Sequence, residues 1–479
     1  MECPYRIKIQ TTKKRRLFME NKSKRKAVER IDALLDERSF VEIGQAVTAR
    51  STDFQLDKVE TPSDGVVTGY GLINGCPVYV YSQDASILGG SIGEMHARKI
   101  ANLYDLAMKT GVAVIGMIDC AGIRLQESTD ALHAFGEIYK KQAQASGVIL
   151  QISAIFGNCG GGLAVFPTLT DFTLMEESGQ LFVNAPNAIT GNRKEVLNSA
   201  SAAFQSKEAG VVDFVGNEAE VFAQIKKLTG LFPSNYKDQS KIKDCMDDLN
   251  RLCGNIQTAD AVEILTQIAD ENEFIELKKD YGTDMVIGFI RLDGETVGCV
   301  ANKEEKISAQ GAKKAASFVK LCDAFGVGIL TFTDVTGYAA NLEQEKELAQ
   351  AVGAMTGAFV QASVPKVNVI TKKAFGSAYV SMNSKAVGAD LVYAWEDAKI
   401  GMMEADMAAK IMNPGATADV LKEKAQEYEK LQSDVDNAAR RGYVDTVIDP
   451  QDTRKYVIGA FEMLYTKREM QIPKKHNAF

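Results

Sequence analysis

The chain has 479 residues, 46% of them apolar, with 39 glycines against 10 prolines and a formal net charge of −8. This size and composition suit two or more packed domains with tight backbone turns, and they exclude a disordered chain. The acidic balance gives no global argument for a nucleic-acid partner, and no apolar run approaches the ~20 residues that span a bilayer.

Near the start, Lys13, Lys14, Arg15, Arg16, Lys22, Lys24, Arg25 and Lys26 form a basic run. No apolar face accompanies these charges, so they read as a solvated face leading into a helix predicted over Arg25–Asp36. The eight cysteines, at 3, 76, 120, 159, 245, 253, 299 and 322, contain no CxxC pair. They read as reduced, mostly buried thiols of a cytoplasmic protein, and no metal site is expected.

After the basic helix the chain repeats itself once. Val66–Val80 (VVTGYGLINGCPVYV) matches Val286–Val300 (VIGFIRLDGETVGCV), with Gly69 against Gly288 and Gly75 against Gly294. Lys99–Asp119 matches Lys314–Asp334, pairing Asp119 with Asp334 and, just beyond, Gly122 with Gly337. Val148–Gly157 matches Lys366–Gly376, pairing Gly157 with Gly376. Three blocks in one order indicate an internal duplication. Each half opens with a β-hairpin turning at Asn74–Gly75 or Asp293–Gly294, dipeptides that supply positive φ. An amphipathic helix follows, then an apolar strand (Val112–Ile118; Val327–Phe332) ending at Asp. A further helix leads to a second apolar strand (Val148–Ile155; Val367–Thr371). Strands apolar on both faces and alternating with helices imply sheets covered on both sides. Phe232–Asp280, rich in Lys, Asp and Asn, reads as the linker region. The fold class is α/β, with one domain over 1–235 and a linker plus second domain over 236–479.

Both second strands enter small-residue turns: Gly157-Asn158-Cys159-Gly160-Gly161-Gly162, and Phe375-Gly376-Ser377-Ala378. A strand passing into a helix through such residues leaves outward N–H groups that suit an anion or a developing oxyanion. It is also what a tight packing turn looks like. No GK[ST] follows either turn, which excludes a P-loop, and no G-x-S-x-G elbow is present. His96 and His133 stand isolated on predicted helix faces, where a structural role is expected. Asp119 and Asp334, at strand ends, could be catalytic carboxylates or caps of the next turn.

The segments Glu29–Ile43, Asp64–Val80, Gly89–Ile100, Ala145–Gly162, Phe318–Tyr338, Gly388–Trp395 and Gly442–Tyr456 together resemble the acyl-CoA carboxylase carboxyltransferases. These belong to the crotonase superfamily and are typified by the propionyl-CoA carboxylase β subunit. The resemblance runs from about Arg25 to Lys475. It implies two crotonase-like (ββα superhelix) domains in tandem, the first on the acyl-CoA side and the second on the biotin side. It also implies transfer of a carboxyl group from N1′-carboxybiotin, on a separate carrier protein, to the α-carbon of a short acyl-CoA through an enolate. Two oxyanions would form. Gly161 and Gly162 correspond to the hole for the CoA enolate, and Ser377 and Ala378 to the pair facing the biotin ureido carbonyl. Gly160 and Gly376 flank these holes, while Gly89, Gly90, Ser91, Ala121, Gly122 and Arg124 match segments near CoA. Implied partners are a biotin carboxylase, a biotin carboxyl carrier protein and further copies of this chain, in a dimer-based hexamer.

The second half departs from the family pattern. Ser377 replaces Gly, Val380 stands where Asp is common, Ser317 stands where Arg is usual, and Thr336–Ala340 replaces a Pro-Gly-Phe turn. Lys303–Gly311 is shorter and more charged than the family segment. Two further readings therefore stand beside carboxylation. One is the carboxyltransferase subunit of a biotin-dependent malonyl- or methylmalonyl-CoA decarboxylase (a sodium pump). The other is a catalytically weak scaffold subunit.

Overall fold

Two residues decide each hairpin. Asn74 and Gly75 take φ of 50° and 78°, and Asp293 and Gly294 take 49° and 77°, the paired positive values that the tightest hairpin turns need. The structure, a computed structural model, describes residues 26–50, 54–238, 242–467 and 469. Apart from Lys26, the basic run lies outside the described residues. The chain divides into two compact units, Met1–Gln239 and Ser240–Phe479.

In the first unit the strands are β1 (Val41–Ile43), β2 (Val66–Ile73), β3 (Cys76–Gln83), β4 (Val114–Cys120), β5 (Gln151–Gly160), β6 (Phe172–Glu176), β7 (Gln180–Phe182) and β8 (Phe214–Gly216). Their order is β1-β2-β3-β4-β5-β6-β8, with β7 paired to the far end of β5. In the second unit they are β9 (Ile275–Leu277), β10 (Met285–Leu292), β11 (Glu295–Asn302), β12 (Lys306–Ile307), β13 (Gly328–Val335), β14 (Gly337–Tyr338), β15 (Lys366–Phe375), β16 (Leu391–Trp395), β17 (Lys399–Gly401) and β18 (Thr446–Ile448). The order β9-β10-β11-β13-β15-β16-β18, with β17 on β15, repeats the first sheet strand for strand. In each unit an antiparallel hairpin runs into parallel strands, and the helices Glu94–Thr110, Ser128–Ala145, Ala309–Ala324 and Leu348–Gln361 supply crossovers. Those parallel strands are buried along most of their length, as β4 and β13 show, which is why they read as unbroken apolar runs.

The duplication reaches further back than the matched blocks. Asp36-Glu37, Phe40 and Glu42 recur as Asp270-Glu271, Phe274 and Glu276. Both aspartates follow a helix, Lys26–Leu34 or Ala261–Ile268. The Asp36 carboxylate accepts from the Asn74 and Gly75 N–H groups at 2.9 and 2.8 Å, and Asp270 accepts from Asp293 and Gly294 at 3.3 and 2.8 Å. β1 then pairs with β2, placing Glu42 opposite Gly69, as β9 pairs with β10, placing Glu276 opposite Gly288. The expected linker Phe232–Asp280 is corrected accordingly. Ile264, Leu265 and Ile268 belong to the core of the second unit, and Phe232 is buried edge-on against Phe172 in the first. Most of its charged residues mark exposed surface, while Asp270 is buried beneath the second hairpin turn.

Lys99 and Lys314, which begin the second matched block, are both buried. Lys99 Nζ donates to Ser63 O, Ser63 Oγ and Val66 O at 3.0, 2.7 and 2.5 Å. Lys314 Nζ donates to Lys278 O, Tyr281 O and Met285 O at 2.8, 2.8 and 2.7 Å. An ammonium taken out of water needs such oxygens, and here they come from the chain entering β2 or β10. Burial pushes the Lys314 pKa down to about 8.

Gly69 and Gly288 mark close approaches of β1 to β2 and of β9 to β10 within their own units. A Cβ on Gly288 would lie 2.2 Å from Ile275 O and 2.7 Å from the Phe274 ring; on Gly69 it would lie 2.3 Å from Val41 O and 2.5 Å from the Phe40 ring. Backbone oxygen cannot swing aside as a side chain does. Gly288→Ala is expected to destabilise the second unit by ~1–3 kcal/mol or somewhat more, read as a drop in thermal midpoint against wild type.

Candidate active site

The two sheets bring their central strands into the same register. Val114 pairs with Gln151 and Cys120 with Cys159, while Ile329 pairs with Lys366 and Val335 with Ala374. All four pairs superpose at one spacing, which places Gly161 against Gly376. The sequence match of Gly157 with Gly376 is thereby corrected. Both strand pairs carry the same bulge, between Ile118 and Cys120 or Thr333 and Val335, so the spacing stays constant through it; Gly157 shares only its residue type with Gly376.

At the corrected positions the two turns agree residue by residue. Gly161 takes φ 65° and Gly376 φ 62°, a left-handed step that lets a strand become a helical turn within one residue. Gly162 and Ser377 follow and are exposed, and Leu163 and Ala378 follow those and are buried. These are the first N–H groups of the turns Gly161–Ala164 and Gly376–Ser381, and such groups have no carbonyl partner within their own turn. The expected pairs, Gly161 with Gly162 and Ser377 with Ala378, are therefore offset by one residue between halves. Gly162 and Ser377 are the positions they share.

Gly157 has a different task. A Cβ there would lie 2.0 Å from Asp119 Oδ1, so glycine is what lets that carboxylate sit under β5. Asp119 accepts from Arg30 Nη1 at 3.1 Å, and the Arg30 guanidinium lies 4.9 Å over the Phe156 ring. Asp334 accepts from the Lys373 N–H at 3.1 Å, and burial raises its pKa. Neither bond is to the turn that follows its strand. His96 is buried among Gln83 Nε2 at 3.2 Å and Asp64 O at 3.0 Å, with its pKa lowered by burial. It is structural, as expected.

The residues matched to the CoA side are brought together by the backbone. The Ala121 N–H donates to Gly89 O, Ile92 to Gly122 O and Arg124 to Ile92 O, each at 2.9 Å. Gly89 and Gly90 take φ of 66° and 68°, and a Cβ on Gly90 would lie 2.4 Å from Asp119 O. Because Cys120 is paired with Cys159, this zipped loop leaves the sheet beside Gly160–Gly162. The second unit repeats the zipper: Thr336 N–H donates to Glu305 O at 2.7 Å and Ala339 N–H to Ile307 O at 2.9 Å.

The Carboxyl transferase domain family model matches residues 19–479. The chain belongs to the carboxyl transferase family. It is 38% identical over 473 residues to the propionyl-CoA carboxylase beta chain of Roseobacter denitrificans, covering 94% of this chain and 92% of that one. It is also 38% identical over 475 residues to methylmalonyl-CoA decarboxylase subunit alpha of Veillonella parvula, again covering 94% and 92%. A solved structure of transcarboxylase 12S, with methylmalonyl-coenzyme A and methylmalonic acid bound, matches with a TM-score of 0.90 at 33% identity, over 96% of this chain and 94% of that chain. The sequence resemblance holds: this is an acyl-CoA carboxyltransferase of two crotonase-like domains in tandem.

Within this carboxyltransferase the two turns have unlike surroundings. Beside the first stand Gly89, Gly90 and the exposed Asn158. Beside the second, Lys373 Nζ reaches Glu305 Oε1 at 3.0 Å and Glu404 Oε1 at 3.3 Å. Lys373, Phe375, Lys399, Glu404, Lys422 and Ser433 line a cavity of about 410 Å³. Val380 is 39% exposed on the Gly376–Ser381 turn, next to Tyr379, whose phenol burial pushes up to about 12. Sequence reasoning missed Glu305, Lys373 and Glu404 as a group, although the adjacent charges Lys372-Lys373 just before the small-residue turn were a usable signal. It also missed Tyr139, whose phenol donates to Gly162 O. Nothing local announces that bond. Among the described residues, no helix is long and apolar enough to cross a membrane and no cluster of His, Cys, Asp or Glu could hold a metal ion.

Arg124 is placed below the loop surface. Nη1 donates to Asp64 Oδ1 at 2.6 Å and Glu127 Oε1 at 2.7 Å, and Nη2 to Ser91 O at 2.7 Å, all with the guanidinium buried. It holds the Ser91 loop against β4. Arg124→Met would strand two buried carboxylates and is expected to cost ~3–5 kcal/mol, measured by chemical denaturation of the first unit's transition.

Proposed function

We propose that this enzyme moves a carboxyl group from carboxylated biotin, on a separate carrier protein, to the α-carbon of a short acyl-CoA such as acetyl- or propionyl-CoA. The observation that carries this reading is the pair of equivalent turns, each with a left-handed glycine followed by an exposed residue, Gly162 or Ser377, whose N–H has no carbonyl partner within its own turn. An acyl-CoA enolate and a ureido carbonyl both concentrate negative charge on one oxygen, and preorganised N–H donors stabilise such an oxygen without reorganising. The Gly162 N–H, with Gly161 or Leu163 as its companion, holds the thioester oxygen. The zipped loops Gly89–Ser91 and Ala121–Gly122 line the approach of the CoA, positioned from beneath by Arg124.

The second turn suits a neutral ring bearing a carbonyl: the Ser377 and Ala378 N–H groups face it as donors and Val380 offers an apolar wall. Biotin, when bound, supplies the carboxyl group and a basic nitrogen for the α-proton. The chain's own part is to bind, orient and stabilise charge. The same donors serve the reverse direction, from a malonyl- or methylmalonyl-type CoA to biotin, and the similarity to a methylmalonyl-CoA decarboxylase subunit favours keeping that reading second. A scaffold role fits less well, because the biotin-side turn keeps the backbone shape of its partner turn. The working assembly we propose is a cytoplasmic homohexamer served by a biotin carboxyl carrier protein and a biotin carboxylase.

Purified protein mixed with free biotin and malonyl-CoA or methylmalonyl-CoA is expected to release the carboxyl group. A folded protein that leaves every carboxylated CoA intact would overturn the reading. Ser377→Pro removes one donor near the start of a helical turn, where Pro is tolerated. It is expected to lower kcat about 10²–10³-fold, while Ser377→Gly, which keeps the N–H, stays within a few-fold of wild type.

A further inference from the structure

We infer that Tyr139 is a positioning residue for the first turn, its phenol clamping the Gly162 carbonyl so that the Leu163 N–H is aimed at the substrate oxygen. The inference rests on the carboxyltransferase reading of Gly161–Leu163. Tyr139 lies on the helix Ser128–Ala145 and donates from its hydroxyl to Gly162 O. A trans peptide is planar, with its C=O and N–H pointing opposite ways. Fixing the Gly162 carbonyl toward Tyr139 therefore points the Leu163 N–H away from it. An amide whose oxygen accepts a hydrogen bond is also a stronger donor through its nitrogen. The clamp thus adds to the Val165 N–H bond to the same oxygen in fixing the direction of this peptide, and it strengthens the Leu163 N–H as a donor.

The phenol can act as a clamp because its ring is held. It stands edge-on to Phe135, with centroids 5.1 Å apart, and to Phe166 at 5.6 Å, and those two rings stack at 5.1 Å. Phe135 and Phe166 are buried. Residue 162 must be small for the hydroxyl to come so near: a Cβ on Gly162 would lie 3.2 Å from the Tyr139 hydroxyl and 3.3 Å from the Phe135 ring. Two successive glycines, 161 and 162, would otherwise leave the turn with more backbone freedom than any other residue pair. The second unit solves the same problem differently. Ala354 occupies the position equivalent to Tyr139, and Ser381 at the end of the turn is tied instead to Tyr338 OH at 3.2 Å and Thr356 Oγ1 at 3.0 Å.

The test compares wild type with Tyr139→Phe, which keeps the ring and deletes the hydroxyl. Decarboxylation of malonyl- or methylmalonyl-CoA with free biotin gives kcat and KM, and amide hydrogen exchange reports on residues 161–164. The expected result is a kcat lower on the order of tenfold, the rate equivalent of one hydrogen bond, with KM for the CoA substrate and the thermal midpoint unchanged and faster exchange at 161–164. Unchanged kcat and exchange would overturn the inference, as would a loss of kcat accompanied by raised KM and a lower midpoint, which marks a packing role. If wild type itself processes no carboxylated CoA, the functional reading fails separately. Exchange alone then decides whether Tyr139 orders the turn, and no change there overturns it.

Discussion

A parallel strand that must become a helix within one residue has few ways to do it. At Gly161 and Gly376 the chain steps into the left-handed region, where a Cβ is disfavoured. That step frees the next N–H groups from the sheet before the helical turn can use them. The rest of each unit holds this step in place. The sheet register sets where β5 and β15 end, the bulge beside β4 and β13 brings the neighbouring loop alongside, and β7 or β17 pairs with the strand's last residues.

Polar side chains, most of them buried, supply much of that support, and each is matched by hydrogen-bonding groups of the chain it restrains. Lys99 and Lys314 gather the carbonyls of the segments entering β2 and β10. Asp36 and Asp270 hold the hairpin turns. Arg124 gathers Asp64, Glu127 and the Ser91 loop. Such groups carry a desolvation cost that an apolar residue would avoid, but they impose direction, which apolar contact does not. A loop proposed to line a substrate needs that direction.

The halves share a backbone plan and differ in what surrounds it. Small residues and a tyrosine clamp surround the first turn, whereas Lys373 ties Glu305 to Glu404 beside the second. Glu305 lies in the Lys303–Gly311 segment, and all three charges are partly solvated, so their electrostatic effect falls with salt. Duplication explains the shared geometry, and divergence of side chains explains how one plan can serve two oxygens in different molecules.

Much of this was legible in the sequence because it depends on local chemistry. Asn74–Gly75 and Asp293–Gly294 announced their turns, the apolar runs announced doubly covered parallel strands, and the glycine clusters announced strand-to-helix turns. The loops Gly89–Ser91 and Ala121–Arg124 were matched by resemblance to segments near CoA, and a backbone bond from Ala121 to Gly89 joins them. What the sequence could not decide is whatever depends on register and on contacts far apart in the chain. The shared residue type of Gly157 hid the true partner of Gly376, exposed charges made a folded segment look like a linker, and Arg124 looked available until its partners Asp64 and Ser91 closed around it. Tyr139 meets Gly162 only because a helix crosses over the end of β5. Turn and strand preferences belong to neighbouring residues and survive in the sequence, while alignment of strands and the reach of side chains arise only when the sheet is assembled.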